Sequence, residues 1–121
     1  MIPFTLMYLT ACESDKSVVR NKPPTVDIIS HDNGSEVFEG YPVEFRAVLS
    51  GVNHDIAALT ARWKVNGEEV CPFLPPDQTG ESVCIATINE GEEEVTVEVR
   101  DTENSTVTDT IYLSIVPTEA P

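Results

Sequence analysis

Positive charge is scarce in this chain. Its 121 residues hold 7 Lys and Arg against 21 Asp and Glu, a formal net charge of −14. Such an excess repels phosphate backbones and argues against nucleic acid as a partner. Anionic membrane surfaces are disfavoured as direct partners for the same reason, and the charge serves solubility and dispersal. Long apolar runs are also missing: the apolar stretch at the N-terminus falls short of the roughly 20 residues that cross a bilayer. No stretch repeats apolar residues at helical spacing for long enough to matter. There is no glycine-rich phosphate loop and no Ser or Cys nucleophile in a recognisable setting, so nothing marks an enzyme. His31-Asp32 and His54-Asp55 fall in turns, where Asp serves as a turn former. Cysteine is limited to Cys12, Cys71 and Cys84, and tryptophan to Trp63.

What is present is alternation. Leu59, Ala61, Trp63 and Val65 alternate with Thr60, Arg62 and Lys64, the period-two signature of a strand with one dry and one wet face. Asn66-Gly67 tolerates positive φ and lets the chain double back into a short return strand over 68–71. Pro72, Pro75 and Pro76 exclude a central strand after it. Before Trp63, Val26 and Ile28 alternate with Asp27, and Val43, Phe45, Ala47 and Leu49 alternate with Glu44 and Arg46. After it come a strand over 81–88 with Cys84, Ala86 and Ile88 on one face, and another with Val95, Val97 and Val99 inward. The last strand carries Val107, Ile111, Leu113 and Ile115 on its apolar face. Strict alternation puts Asp109 there too, and a bulge is the expected way to turn it outward. All six glycines fall between these segments. Short alternating strands with turns at this interval predict an all-β, antiparallel β-sandwich.

The residues 23–116 resemble the immunoglobulin-like and PKD-type modules of secreted bacterial proteins. The matching residues are Pro23-Pro24-Thr25-Val26, then Gly40 and Val43-Glu44-Phe45, then 59–67 around Trp63, and finally Val95-Thr96-Val97-Glu98-Val99-Arg100-Asp101. The resemblance implies two packed sheets of about seven strands. It specifies fold better than task.

The segment ahead of this domain has a different character. Residues 1–11 carry no charge and are mostly apolar, as in the apolar part of a signal peptide. Leu9-Thr10-Ala11-Cys12 resembles the lipobox of bacterial lipoproteins, in which the peptidase cuts before the Cys and the Cys takes the lipid. The alternative is a buried N-terminal strand with a free thiol. No Lys or Arg precedes Lys16, so either the true start lies upstream or the signal is a poor one. On the lipoprotein reading Cys12 is lipidated and joins the protein to a membrane, with the outer membrane or cell surface the expected address. Residues 12–22 are then a flexible tether, and 117–121 a linker or tail.

Cys71 and Cys84 flank the proline-rich loop. In an exported protein they are expected to form a disulfide, which restricts the unfolded chain by about 3 kcal/mol. The rival is zinc with His31 or His54, but the spacing matches no zinc motif. No cofactor is expected. Calcium is the one metal with a case: the loop 51–55 and the turn 101–105 would share one end of the sandwich, gathering Asn53, Asp55, Asp101, Glu103 and Asn104 as oxygen donors. No fixed ligand spacing is visible, which favours two solvated loops. The expected function is non-catalytic: adhesion or recognition of a protein or glycan ligand, against the alternative of a passive spacer in a longer array. A binder needs an exposed aromatic or apolar patch, for which Tyr41, Tyr112 and Phe73 are the candidates.

Overall fold

The structure, a computed structural model, describes residues 23–51 and 55–118. Among them the alternating segments form nine strands: β1 (Thr25–Ile28), β2 (Glu36–Phe38), β3 (Pro42–Ser50), β4 (Thr60–Val65), β5 (Glu68–Leu74), β6 (Glu81–Thr87), β7 (Glu94–Arg100), β8 (Thr106–Tyr112) and β9 (Ser114–Val116). A 3-10 turn, Ile56–Ala58, precedes β4, with Asp55 as its N-cap. The strands make two facing layers. One is a three-stranded sheet in the order β1-β3-β6; the other is a four-stranded sheet in the order β5-β4-β7-β8. All pairs in these two sheets are antiparallel. The short β2 and β9 pair in parallel.

The predicted dry faces are the buried ones. Leu59, Ala61, Trp63 and Val65 are buried, as are Val95, Val97 and Val99 on β7 and Phe45, Ala47 and Leu49 on β3. Trp63 is 1% exposed. Its ring stacks on Phe45 of the opposite sheet at 6.0 Å between centroids, a geometry that adds about 0.5–1.5 kcal/mol to the burial of the two rings. The indole N–H donates to Ser82 Oγ at 2.8 Å, across the layers. That bond makes the burial tolerable, because an unpaired N–H at this depth carries a desolvation penalty.

Asn66 (φ 51°) and Gly67 (φ 84°) turn β4 into β5 with two consecutive left-handed residues, the conformation a tight hairpin demands. Asn66 also fastens a second turn: its Nδ2 donates to Gly91 O, and its Oδ1 accepts from Glu94 N. At the other end, Gly80 (φ 89°) opens β6 where a Cβ would come within 3.2 Å of Leu49 O.

The structure departs from the expected strand pattern in three places. Nine strands replace about seven, because β2 is too short to announce itself and the last strand divides at Leu113. There the chain stops pairing with β7 and begins pairing with β2, its switch marked by Leu113 N to Glu93 O and Ser114 N to Ser35 O. No bulge turns Asp109 outward. β8 stays in register with β7 through the Asp109–Val97 pair, and the carboxylate instead accepts from Ile28 N of β1 at 2.8 Å. Finally, β5 runs past Cys71 and Pro72 to Leu74. It tolerates the proline because it is an edge strand with irregular register.

Candidate functional site

Two sides of the sandwich are built differently. On one, the edges of β1 and β8 face each other and Asp109 bridges them. On the other, the edges of β5 and β6 face each other, and Cys71 and Cys84 join them as a disulfide with 6.1 Å between Cα atoms. The pairing expected of an exported protein is therefore present. Cys71 lies opposite Trp63 in one sheet and Cys84 opposite Phe45 in the other. The disulfide and the aromatic stack thus form one continuous layer through the middle of the domain.

Apolar side chains reach the surface on the disulfide side, as Ile29 and Phe38 do elsewhere. Val83 is 43% and Ile85 64% exposed on the outer face of β6; Val70 is 42% and Leu74 58% exposed on β5. Leu74 pairs with Ala61, whose side chain is buried. Its exposure has a simple cause: the four-stranded sheet overhangs a sheet of only three strands. Val48, diagonal to Val83 on β3, extends the patch.

Charge borders this patch. Arg46 is held by Glu44 at 2.6 Å and Glu81 at 2.8 Å. At the start of β6, Asp77 Oδ1 accepts from the Thr79 hydroxyl, Thr79 N and Glu81 N. The Thr79 hydroxyl first, then the Glu81 N–H, holds the Asp77 carboxyl below the usual carboxylate range. Glu68 and Glu69 lie on the neighbouring edge.

The three aromatic candidates are not brought together. Tyr41 and Tyr112 are exposed. Phe73 is half-buried, covered by the Arg100 guanidinium at 3.9 Å and the Arg62 guanidinium at 4.8 Å. The register shift in β5 between Ala61 and Trp63 puts it on the sheet's outer face with those arginines. Arg62 also pairs with Glu98 and Glu69. Partial burial pushes the Glu98 carboxyl up, and Arg62 and Lys64 more than reverse this, leaving it below its ordinary value.

Of the oxygen donors considered for calcium, Asn53 lies outside the described residues, as do His54 and Cys12. Asp55 caps the 3-10 turn by accepting from Ala57 N. Asp101 is buried, and its Oδ1 accepts from Glu103 N and Ser105 N. Thr60 pairs with Arg100, so the chain enters β4 and leaves β7 at the same end of the domain. Among the described residues no group of three or more His, Cys, Asp or Glu side chains is placed to hold a metal ion, and no pocket forms. His31 packs against the Phe45 ring at 5.0 Å, with its Nδ1 2.9 Å from Ser30 Oγ. Burial lowers its pKa, and Asp32 opposes that only in part.

Two residues that matter here escape a reading of the sequence. Ser82 continues the inward series of Cys84, Ala86 and Ile88, and a lone hydroxyl there is the natural partner for a lone buried indole. Leu74 is hidden by the register shift beside Pro72, since simple alternation from Cys71 misplaces it.

No family model matches the chain, and no curated protein matches it in sequence. Solved structures do match in fold. The fibronectin(III)-like modules of Clostridium thermocellum CbhA superpose with a TM-score of 0.64 at 14% identity, over 78% of this chain and 100% of theirs. A titin M10–obscurin-like 1 Ig complex gives 0.56 at 13%, over 82% of this chain and 98% of that one. The endo-β-1,4-mannanase from Thermotoga petrophila gives 0.56 at 16%, with 81% of this chain matching 21% of the enzyme's. The domain is accordingly an immunoglobulin-like β-sandwich of the kind shared by fibronectin III and Ig modules.

Proposed function

We propose that this protein is a non-catalytic recognition module, held outside the cytoplasm by a lipid on Cys12 and presenting the disulfide side of its sandwich to another protein. One observation carries the recognition reading: Val70, Leu74, Val83 and Ile85 are exposed together beside the edges of β5 and β6, which no other described strand pairs. A pure spacer gains nothing from such a patch, which invites unwanted association. The anchor is supported by Leu9-Thr10-Ala11-Cys12 and its polar sequel. The Cys71–Cys84 bond supports an oxidising compartment.

A photo-crosslinking residue placed at Ile85 tests the reading in cells, with Tyr112 on the other sheet as the control position. A discrete protein adduct from position 85, absent from position 112, is the expected result. No adduct from position 85 leaves the passive spacer as the better account.

A further inference from the structure

We infer that β6 accepts an extended segment of another protein as a fourth strand of the three-stranded sheet, and that this segment is apolar at alternate positions with basic residues at its ends. The inference rests on the recognition reading and specifies its partner. Leu49 N donates to Gly80 O, which fixes the phase of the β3–β6 ladder. By antiparallel alternation, Ser82, Cys84 and Ala86 commit their main-chain groups to β3, while those of Val83, Ile85 and Thr87 point to the open side. Two other edges carry protection. The edge of β1 gives its Ile28 N–H to Asp109, and β5 has Pro72, two register shifts and the pair Glu68–Glu69. From Ser82 to Thr87, β6 has neither charge nor proline, the devices that ordinarily blunt an edge.

No described strand pairs with the outer edge of β6, and the place beside it has an inner wall. A strand added to β6 would lie under the overhanging β5, its inner side chains against Leu74 and Val70 and its outer ones beside Val83 and Ile85. The chain's own connection over 75–80 does not fill the place. It opens with Pro75-Pro76 and closes into a turn in which Asp77 N donates to Glu81 O and Gly80 N donates to Asp77 O.

Charge selects the occupant. Asp77 and Glu81 stand at one end of β6, Glu90 follows its other end, and Glu68 and Glu69 lie alongside. Arg46, on the neighbouring β3, is shared between Glu44 and Glu81. A second copy would bring the same acidic groups to both ends of the pairing, so a strand with Lys or Arg at its ends fits and a homodimer does not.

The test uses the full chain with Cys12→Ser, isotope-labelled, and a synthetic peptide Lys-Lys-Thr-Val-Thr-Val-Thr-Val-Lys-Lys. The peptide is expected to bind and to slow hydrogen exchange at the Val83 and Ile85 amides by about tenfold or more. Glutamates in place of its lysines, or Ile85→Lys in the protein, should weaken binding by about tenfold or more. Binding without that protection, binding on the other sheet, no binding at all, or a dimer that Ile85→Lys dissolves would each overturn strand addition. The crosslinking experiment at Ile85 is read independently, so recognition by side-chain contact survives those outcomes.

Discussion

Trp63 shows how much rests on one polar atom. Its ring is buried against Phe45, and Ser82 Oγ accepts its only polar hydrogen. Ser82→Ala should therefore destabilise the domain by about 1–3 kcal/mol, the penalty for an orphaned buried donor. Urea denaturation of the single variant, of Trp63→Phe and of the double variant checks it: once Trp63→Phe has removed the donor, the serine substitution should lose most of its effect. His31 makes a pH prediction. Burial against Phe45 holds its pKa below the usual value of about 6.5, so the unfolded chain takes up the proton first as pH falls. Its contribution is fully present above about pH 6.5 and is lost as pH drops through the lowered folded value. Thermal midpoints measured from pH 7.5 to 5 should fall, and His31→Gln should flatten that fall. Asp77 and Glu98, also lowered, act in the carboxylate range and leave this window clear. Asp109 gives a third contrast. Asp109→Asn keeps an oxygen for Ile28 N and should be mild, whereas Asp109→Ala removes it and should destabilise by about 1–2 kcal/mol on the same urea scale.

Among the elements, β4 and β7 were legible because both are central strands with one buried face, and every inward residue there is apolar. The Asn66-Gly67 hairpin was legible because few dipeptides accept two left-handed residues. β5 was not. Its register shifts break the period on which side-chain direction is read, and they decide that Cys71 faces in, Phe73 faces out and Leu74 overhangs an empty place. β2 and β9 were hidden for another reason: three-residue strands carry too little periodicity to stand out, and their parallel pairing depends on where the chain returns in space. The candidate site suffered most, because the unpaired edge of β6 has no sequence signal of its own; only the exposure of Leu74 in three dimensions reveals it. The disulfide between β5 and β6 makes the element-scale prediction. Replacing Cys71 and Cys84 by alanine should lower stability by about 3 kcal/mol, as expected for closing a loop of this length, with reductant mimicking the effect on the native protein in denaturant melts.

At the scale of the whole molecule, the chain combines a net charge of −14 with an uncharged stretch of strand edge over 82–87. The charge keeps copies apart in solution while leaving the edge open to a partner of the opposite sign. If Cys12 bears the lipid, Cys12→Ser should move the protein from the membrane pellet to the soluble fraction, and mass spectrometry of the native form should show the acyl chains. The calcium question is answered by thermal midpoints in calcium and in chelator. Because Asp101 Oδ1 and Asp55 are committed to main-chain N–H groups, no difference is expected. The parallel pairing of β2 with β9 has a mechanical consequence. A tether at one end and a load at the other would pull directly on β9 and, once the short β1 gives way, on β2. Strands that run the same way slide past each other under such tension, so Glu36, Val37 and Phe38 must release Ser114, Ile115 and Val116 together instead of one rung at a time. A domain with that clasp resists being drawn out by its ends better than its modest size would imply.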